Sequence, residues 1–151
     1  IGALYDLAEK TGAEVYIHED DADRLTDPVK NLTAAMNMKN FRPTTEYITV
    51  ANGDKITLDD ISLTVMHTPG HTEGSMILLS DEVIYTGDTL FKGECGRTDL
   101  FGGSYEQMLC SLKRISEIEG EYRVLPGHGD ESTLSFEKAH NPYIKLARSK
   151  G

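Results

Sequence analysis

Three short loops constrain this chain more than any other feature of its sequence. His67-Thr68-Pro69-Gly70-His71-Thr72, Thr86-Gly87-Asp88-Thr89 and Pro126-Gly127-His128-Gly129-Asp130 each adjoin an apolar stretch, contain glycine and hold a histidine or an aspartate. Pro69 and Gly70 favour a turn straight after the stretch ending near Met66, and that turn lifts His71 off the strand end. His67 lies on the other side of the turn; either histidine alone reads equally as a loop residue bonded to backbone carbonyls or as a ligand, and both cannot easily point at one metal, the one after the glycine being better exposed. Asp88 follows the apolar Val83-Ile84-Tyr85 behind Gly87, which permits close approach. Taken alone, Asp88 reads better as an aspartate capping the next turn. The glycines around His128 suit a plain strand-to-helix turn, or a place where something must come close. Jointly the loops say more. If neighbouring strands bring their ends together, two imidazoles and a carboxylate gather, and such donors suit zinc, iron or manganese.

The remaining pattern interleaves helices and strands. Residues 1–12 read as a short amphipathic helix with Ile1, Leu4, Tyr5, Leu7 and Ala8 on one face and Gly12 at its end. Ala13–Ile17 reads as a strand, Glu19–Leu25 as a helical turn, and residues 28–43 as loop plus a short helix. Lys55–Leu58 and Ile61–Met66 flank Asp59-Asp60 and form a hairpin. Ser75–Leu79 and Val83–Tyr85 are strands joined through Ser80-Asp81-Glu82. A helix over Tyr105–Ile118 carries Met108, Leu109, Leu112, Ile115 and Ile118 as its buried stripe, with Ser104 as its cap and Gly120 as its stop. Tyr122–Leu125 is a strand, and two short helices flank Asn141-Pro142. The class is α/β or α+β.

Composition narrows the partners. Acidic residues outnumber basic ones 25 to 15, a formal charge of −10 that repels phosphate backbones and anionic lipid. Nucleic acid and membranes are therefore not expected as partners. No apolar run is long enough to span a bilayer. Cys95 and Cys110 are too few for a disulfide framework and neither lies in a C-x-x-C, so a reducing, cytoplasmic location is expected.

The segments H-T-P-G-H-T-E-G-S (67–75), T-G-D-T-L-F (86–91), G-R-T-D-L (96–100) and P-G-H-G (126–129) are weak signals singly. In this order and spacing they resemble the metallo-β-lactamase superfamily, and within it the glyoxalase II-like hydrolases. The tail Asn141-Pro142-Tyr143 is similar to that of small single-domain members. The resemblance implies an αβ/βα sandwich with two divalent metal ions, zinc foremost and iron or manganese as alternatives. It implies His71 as a ligand of the first ion, Asp88 as the bridge and catalytic carboxylate, and His128 as a ligand of the second. It implies hydrolysis of a small-molecule thioester, a hydroxyacyl-glutathione or another acyl thiol, by a metal-bound hydroxide.

The family's signature H-x-H-x-D-H does not occur in the chain, and Ile1-Gly2-Ala3-Leu4 resembles the stretch that follows it. The resemblance therefore implies that residues 1–151 are the C-terminal portion of a single domain, without its first strands and inactive alone. An exposed sheet edge and apolar face would follow, which a second copy of the chain would cover. Two other readings stand beside the hydrolase: a mononuclear-iron persulfide dioxygenase of the same fold, and a non-catalytic fragment or scaffold without metal.

Other residues are weighed on their chemistry. Arg97 suits a carboxylate-bearing substrate, but a local pair with Asp99 is the preferred reading. Lys92 is a second candidate for an anionic substrate. Asp130 and Glu73 adjoin ligand positions and are candidates to orient imidazole N–H groups. Cys95 has no histidine near it in sequence, which argues against a nucleophile. His18 and His140 read as surface or packing residues, and Met36 and Met38 as packing.

Overall fold

A computed structural model describes residues 1–150, which fall into two compact units divided after Val50. In the first unit, α1 (Leu4–Thr11) ends at Gly12 in the left-handed conformation, with the Gly12 N–H on the Ala8 carbonyl, as the sequence suggests. The helix starts at Leu4, three residues after the expected Ile1; no residue of α1 is buried, and Leu7 on its apolar face is 58% exposed. The period shows that a face is apolar; it does not supply a layer to cover it. β1 (Tyr16–His18) pairs in parallel with β2 (Ile48–Val50), Tyr16 opposite Ile48. That pairing places the strand three residues later than the expected start at Ala13. Glu19–Leu25 is a 3₁₀ helix, and the buried His18 caps it by accepting the Asp20 N–H on Nδ1. The short helix expected within 28–43 does not form. Successive turns there are broken by left-handed backbone at Leu32 (φ 66°) and Asn37 (φ 53°), which an α-helix cannot contain.

The second unit, from Ala51 onward, carries the loops of interest. Its strands are β3 (Lys55–Leu58), β4 (Ile61–His67), β5 (Met76–Leu79), β6 (Val83–Gly87), β7 (Leu90–Phe91), β8 (Glu94–Cys95), β9 (Arg123–Pro126) and β10 (Ser132–Thr133). Its helices are α2 (Tyr105–Ser116), α3 (Leu134–His140) and α4 (Pro142–Ser149). Six strands form one sheet in the order β10-β9-β6-β5-β4-β3, and β7 and β8 make a separate hairpin. The β3–β4 hairpin turns at Asp59-Asp60 as expected, with Asp59 at φ 52° and Leu58 opposite Ile61. Ser80 makes the β5–β6 turn: its hydroxyl accepts the Val83 N–H at 3.0 Å and its own N–H reaches the Val83 carbonyl at 2.9 Å.

The sheet's core face is set by strand alternation. Met66 lies opposite Ile77, and Leu79, Ile84 and Val124 form one row across β5, β6 and β9. Onto Ile77, Ile84 and Val124 pack Met108, Leu112 and Ile115 of α2, Leu134 of α3, and Ile144 and Ala147 of α4. The Ser104 hydroxyl caps α2 through the Gln107 N–H at 3.3 Å. The helix ends at Ser116, two residues short of the expected Ile118, because Glu117 and Ile118 turn back onto the Arg114 and Ile115 carbonyls in 3₁₀ fashion. On the opposite face Val65, Leu78, Tyr85 and Leu125 line up across the strands, with Tyr85 43% exposed.

Strand direction decides where the three loops emerge. β6 and β9 are parallel, while β5 is antiparallel to both β4 and β6. Hence β4, β6 and β9 all run the same way, and their C-terminal ends open on one edge of the sheet. Among the described residues no helix is long and apolar enough to cross a membrane.

Ile84 is fully buried at the centre of this packing. Ile84→Ala is expected to lower unfolding stability by about 2–5 kcal/mol in denaturant titrations, with strand content unchanged.

Candidate metal centre

Each of the three loops leaves the same sheet edge, and each is pinned there by its own contacts. After β4, the loop at 68–75 closes on itself. The Thr68 N–H meets the Ser75 carbonyl at 2.7 Å, and the Thr72 N–H meets the Ser75 hydroxyl at 2.9 Å. The Ser111 hydroxyl of α2 holds the Pro69 carbonyl at 2.8 Å, and the Ser104 N–H holds the Gly70 carbonyl at 2.9 Å. His71 is thus carried on a loop tied to the start of the crossover helix. After β6, Thr89 bonds back to the Thr86 carbonyl, and Thr68 and Thr89 share a buried hydroxyl contact at 3.2 Å. After β9, the Gly127 N–H reaches the Gly87 carbonyl at 2.8 Å, so the second and third loops remain paired beyond their strands.

The result is convergence. His71 Nε2 lies 3.6 Å from one oxygen of Asp88, and His128 Nε2 lies 3.9 Å from the other. Both gaps exceed hydrogen-bond range. Two donors on one cation, at bonds of 2.0–2.2 Å and a tetrahedral angle, stand about 3.4 Å apart. The observed separations are slightly wider than that, and a nitrogen–oxygen donor set of this kind suits zinc or iron. Each pair, His71 with one Asp88 oxygen and His128 with the other, fits a divalent metal on both counts, while no single position is shared by all three residues.

Asp88 is reached closely from two sides. A Cβ at Gly96 would lie 1.8 Å from the Asp88 carbonyl oxygen, and one at Gly127 would lie 2.5 Å from its Oδ1. Only glycine admits these approaches.

The two imidazoles are held differently. His71 Nδ1 meets the Arg97 carbonyl at 2.9 Å. A carbonyl only accepts, so Nδ1 carries a proton, and in the neutral ring the lone pair is on Nε2, the nitrogen nearer Asp88. Arg97 itself is fixed by a two-pronged contact with Asp99, both bonds at 2.8 Å. The His128 ring stacks on Phe91, centroids 4.5 Å apart. His67, by contrast, directs Nε2 to the Glu73 carbonyl at 2.7 Å, the backbone-bonded one of its two readings.

A cleft of about 370 Å³ opens over these groups, walled by Phe91, Glu94, Cys95, Arg97 and Asp130. The two cations proposed for substrate are both engaged with acids: Arg97 with Asp99, and Lys92 with Asp130 at 3.6 Å. Asp130 faces Lys92, and the group found at His71 Nδ1 is a main-chain carbonyl, not the acid expected there. No side-chain identity announces such a carbonyl, so sequence reasoning had no signal for it. Phe91 stands in the sequence only as the last residue of the T-G-D-T-L-F segment, which gives no sign that its ring meets His128. The Cys95 thiol is pushed up to about 11, first by burial and then by the Glu94 carboxylate, which removes it as a nucleophile at neutral pH. His140 stacks on Phe136, a packing role.

Comparison with known proteins places these features. A family model described as the metallo-beta-lactamase superfamily matches residues 1–128. An uncharacterized protein of Mycobacterium leprae is 34% identical over 148 residues, 92% of this chain and 68% of its own length. The hydroxyacylglutathione hydrolase GloC of Haemophilus influenzae is 28% identical over 150 residues, 95% of this chain and 70% of its own. Among solved structures, the BLEG-1 B3 metallo-beta-lactamase superposes with a TM-score of 0.83 at 30% identity, covering 95% of this chain and 71% of that one. TTHA1623 in a di-iron-bound form superposes with a TM-score of 0.81 at 31% identity, with the same coverage.

Two outcomes check the site's electrostatics. The Arg97 guanidinium holds the Asp99 carboxyl down at about 2. An acid depressed by its partner contributes stability above its unfolded pKa and loses it as pH falls through the folded one. The pair should therefore stay closed from neutral pH to about pH 4 and open between about pH 4 and 2. NMR titration of the Asp99 carboxyl should give a midpoint near 2, returning toward 4 in Arg97→Met. Separately, a maleimide at pH 7.5 should label the exposed Cys110 well before Cys95, as read by peptide mass.

Proposed function

The chain belongs to the metallo-β-lactamase superfamily, and from that premise we propose that it serves a metal-dependent hydrolase of thioesters, with His71, Asp88 and His128 as cation ligands. The observation that carries this reading is the pair of gaps, 3.6 and 3.9 Å, between the two carboxylate oxygens of Asp88 and the imidazoles on either side. In this reading His71, Asp88 and His128 would hold the ions, one Asp88 oxygen lying toward each imidazole. Divalent ions bound there supply Lewis acidity toward a carbonyl oxygen and lower the pKa of water. Zinc is the first choice for hydrolysis, and the di-iron form of TTHA1623 supports iron as an alternative.

The chain's own residues prepare the site for that chemistry. The Arg97 carbonyl fixes the His71 tautomer with Nε2 unprotonated. Asp88 offers one oxygen to each side. Phe91 gives the cleft an apolar wall that suits an acyl chain or sulfur. A thioester suits this lining for a further reason. When water adds to the carbonyl carbon and the C–S bond breaks, the thiolate leaves without needing a proton from the protein. The likeness to GloC supports a hydroxyacyl-glutathione as the first substrate to try.

Zinc binding to the chain, followed by calorimetry, tests the ligand assignment. Asp88→Ala should weaken it by more than about 100-fold, since even groups behind the ligands cost 10–100-fold. Equal binding by Asp88→Ala would refute the assignment. Thiol release from S-lactoylglutathione tests the substrate class. Oxygen uptake on glutathione persulfide in its place would favour the dioxygenase alternative.

A further inference from the structure

We propose that Phe91 is the positioning residue of the His128 imidazole. For its purpose this rests on the reading of His128 as a metal ligand; its structural part stands apart from that reading. The two candidate imidazoles differ sharply in support. The His71 side chain is 22% exposed and hydrogen-bonded through Nδ1 to the Arg97 carbonyl. The His128 side chain is 73% exposed, sits between two glycines, and makes no hydrogen bond from its ring among the described residues. What orients it is the face of Phe91, 4.5 Å away between centroids and inclined by 29°.

Phe91 is itself held firmly. It belongs to the two-residue strand β7, where alternation buries Leu90 completely and turns Phe91 to the other side. Its carbonyl and that of Glu94 both accept from Asn141 Nδ2, at 3.4 and 3.0 Å. At the turn between them, the Gly93 N–H donates to Glu137 Oε2 at 3.0 Å. Glu137 and Asn141 are fully buried and bonded to each other at 2.8 Å. Ser132 also donates to Glu137, and Asn141 Oδ1 caps α4 through the Tyr143 and Ile144 N–H groups. The β7–β8 hairpin is therefore clamped to the C-terminal helices, and through it the core fixes the plane on which His128 rests. A stack orients an imidazole without occupying either nitrogen, so Nε2 stays available for a cation. A hydrogen bond to Nε2 would not leave it so.

The test uses Phe91→Leu, which keeps an apolar side chain and removes the ring face, and Phe91→Tyr, which restores a ring. Carbon–proton NMR of the imidazoles is recorded on the metal-free chain, and zinc affinity is measured by calorimetry. In the wild type, contacts between the Phe91 and His128 rings should appear, with the His128 protons displaced by the ring current. In Phe91→Leu, the His128 signals should move to those of a freely rotating imidazole while the His71 signals stay. Zinc affinity should fall about tenfold, and Phe91→Tyr should restore both. Absence of ring contacts in the wild type would overturn the proposal, even if Phe91→Leu fails to fold. So would a Phe91→Leu protein that binds zinc less well with the His128 ring unmoved, because that marks a merely structural role. A wild-type chain that shows the ring contacts but takes up no zinc would remove the metal reading and leave the positioning of His128 established.

Discussion

The parallel pairing of β6 with β9 is the constraint on which the site depends. Val83 opposite Arg123 and Ile84 opposite Val124 set the two strands in register, so Asp88 and His128 emerge from neighbouring ends. A parallel neighbour cannot be reached by a tight turn; the chain must cross over the sheet first. α2 lies in that crossover, and its buried stripe of Met108, Leu112 and Ile115 packs onto Ile77, Ile84 and Val124. The hydrophobic burial that stabilises the unit is thus the same packing that keeps the strand ends together. β5, antiparallel to both its neighbours, then sends β4 in the direction of β6 and brings His71 to the same edge.

At that edge the donors are not hydrogen-bonded to one another, and an ion pair spans either gap only when its imidazole is protonated. An imidazole nitrogen and a carboxylate oxygen facing across 3.6 or 3.9 Å make no hydrogen bond. Their arrangement is maintained from behind: a carbonyl on His71, a ring on His128, and two glycines that leave room beside Asp88. Supporting groups that fix ligands without consuming their lone pairs are what a cation site requires.

Much of this was legible in the sequence, for identifiable reasons. The β3–β4 hairpin showed itself because two apolar runs flank Asp59-Asp60, and α2 because a 3.6-residue stripe follows the Ser104 cap. The three loops stood out because each places glycine beside a candidate ligand directly after a strand. What stayed hidden depends on partners distant in the chain. β7 and β8 are two residues each, too short to carry a period, and the β7–β8 turn is held from Glu137, 44 residues beyond Gly93. The partner of His71 is a main-chain carbonyl at Arg97, which any residue would provide. β1 takes its bounds from β2, about thirty residues later, and the turn at Leu32 uses a left-handed conformation that leucine does not advertise.

The central claim is that one sheet edge gathers His71, Asp88 and His128 to grip divalent cations. Anomalous diffraction at the zinc edge, from crystals of the chain equilibrated with zinc, addresses it most directly. The account predicts anomalous density in contact with the Asp88 carboxylate and with the imidazole of His71 or His128. Density confined to other side chains, with Asp88 untouched, would contradict it.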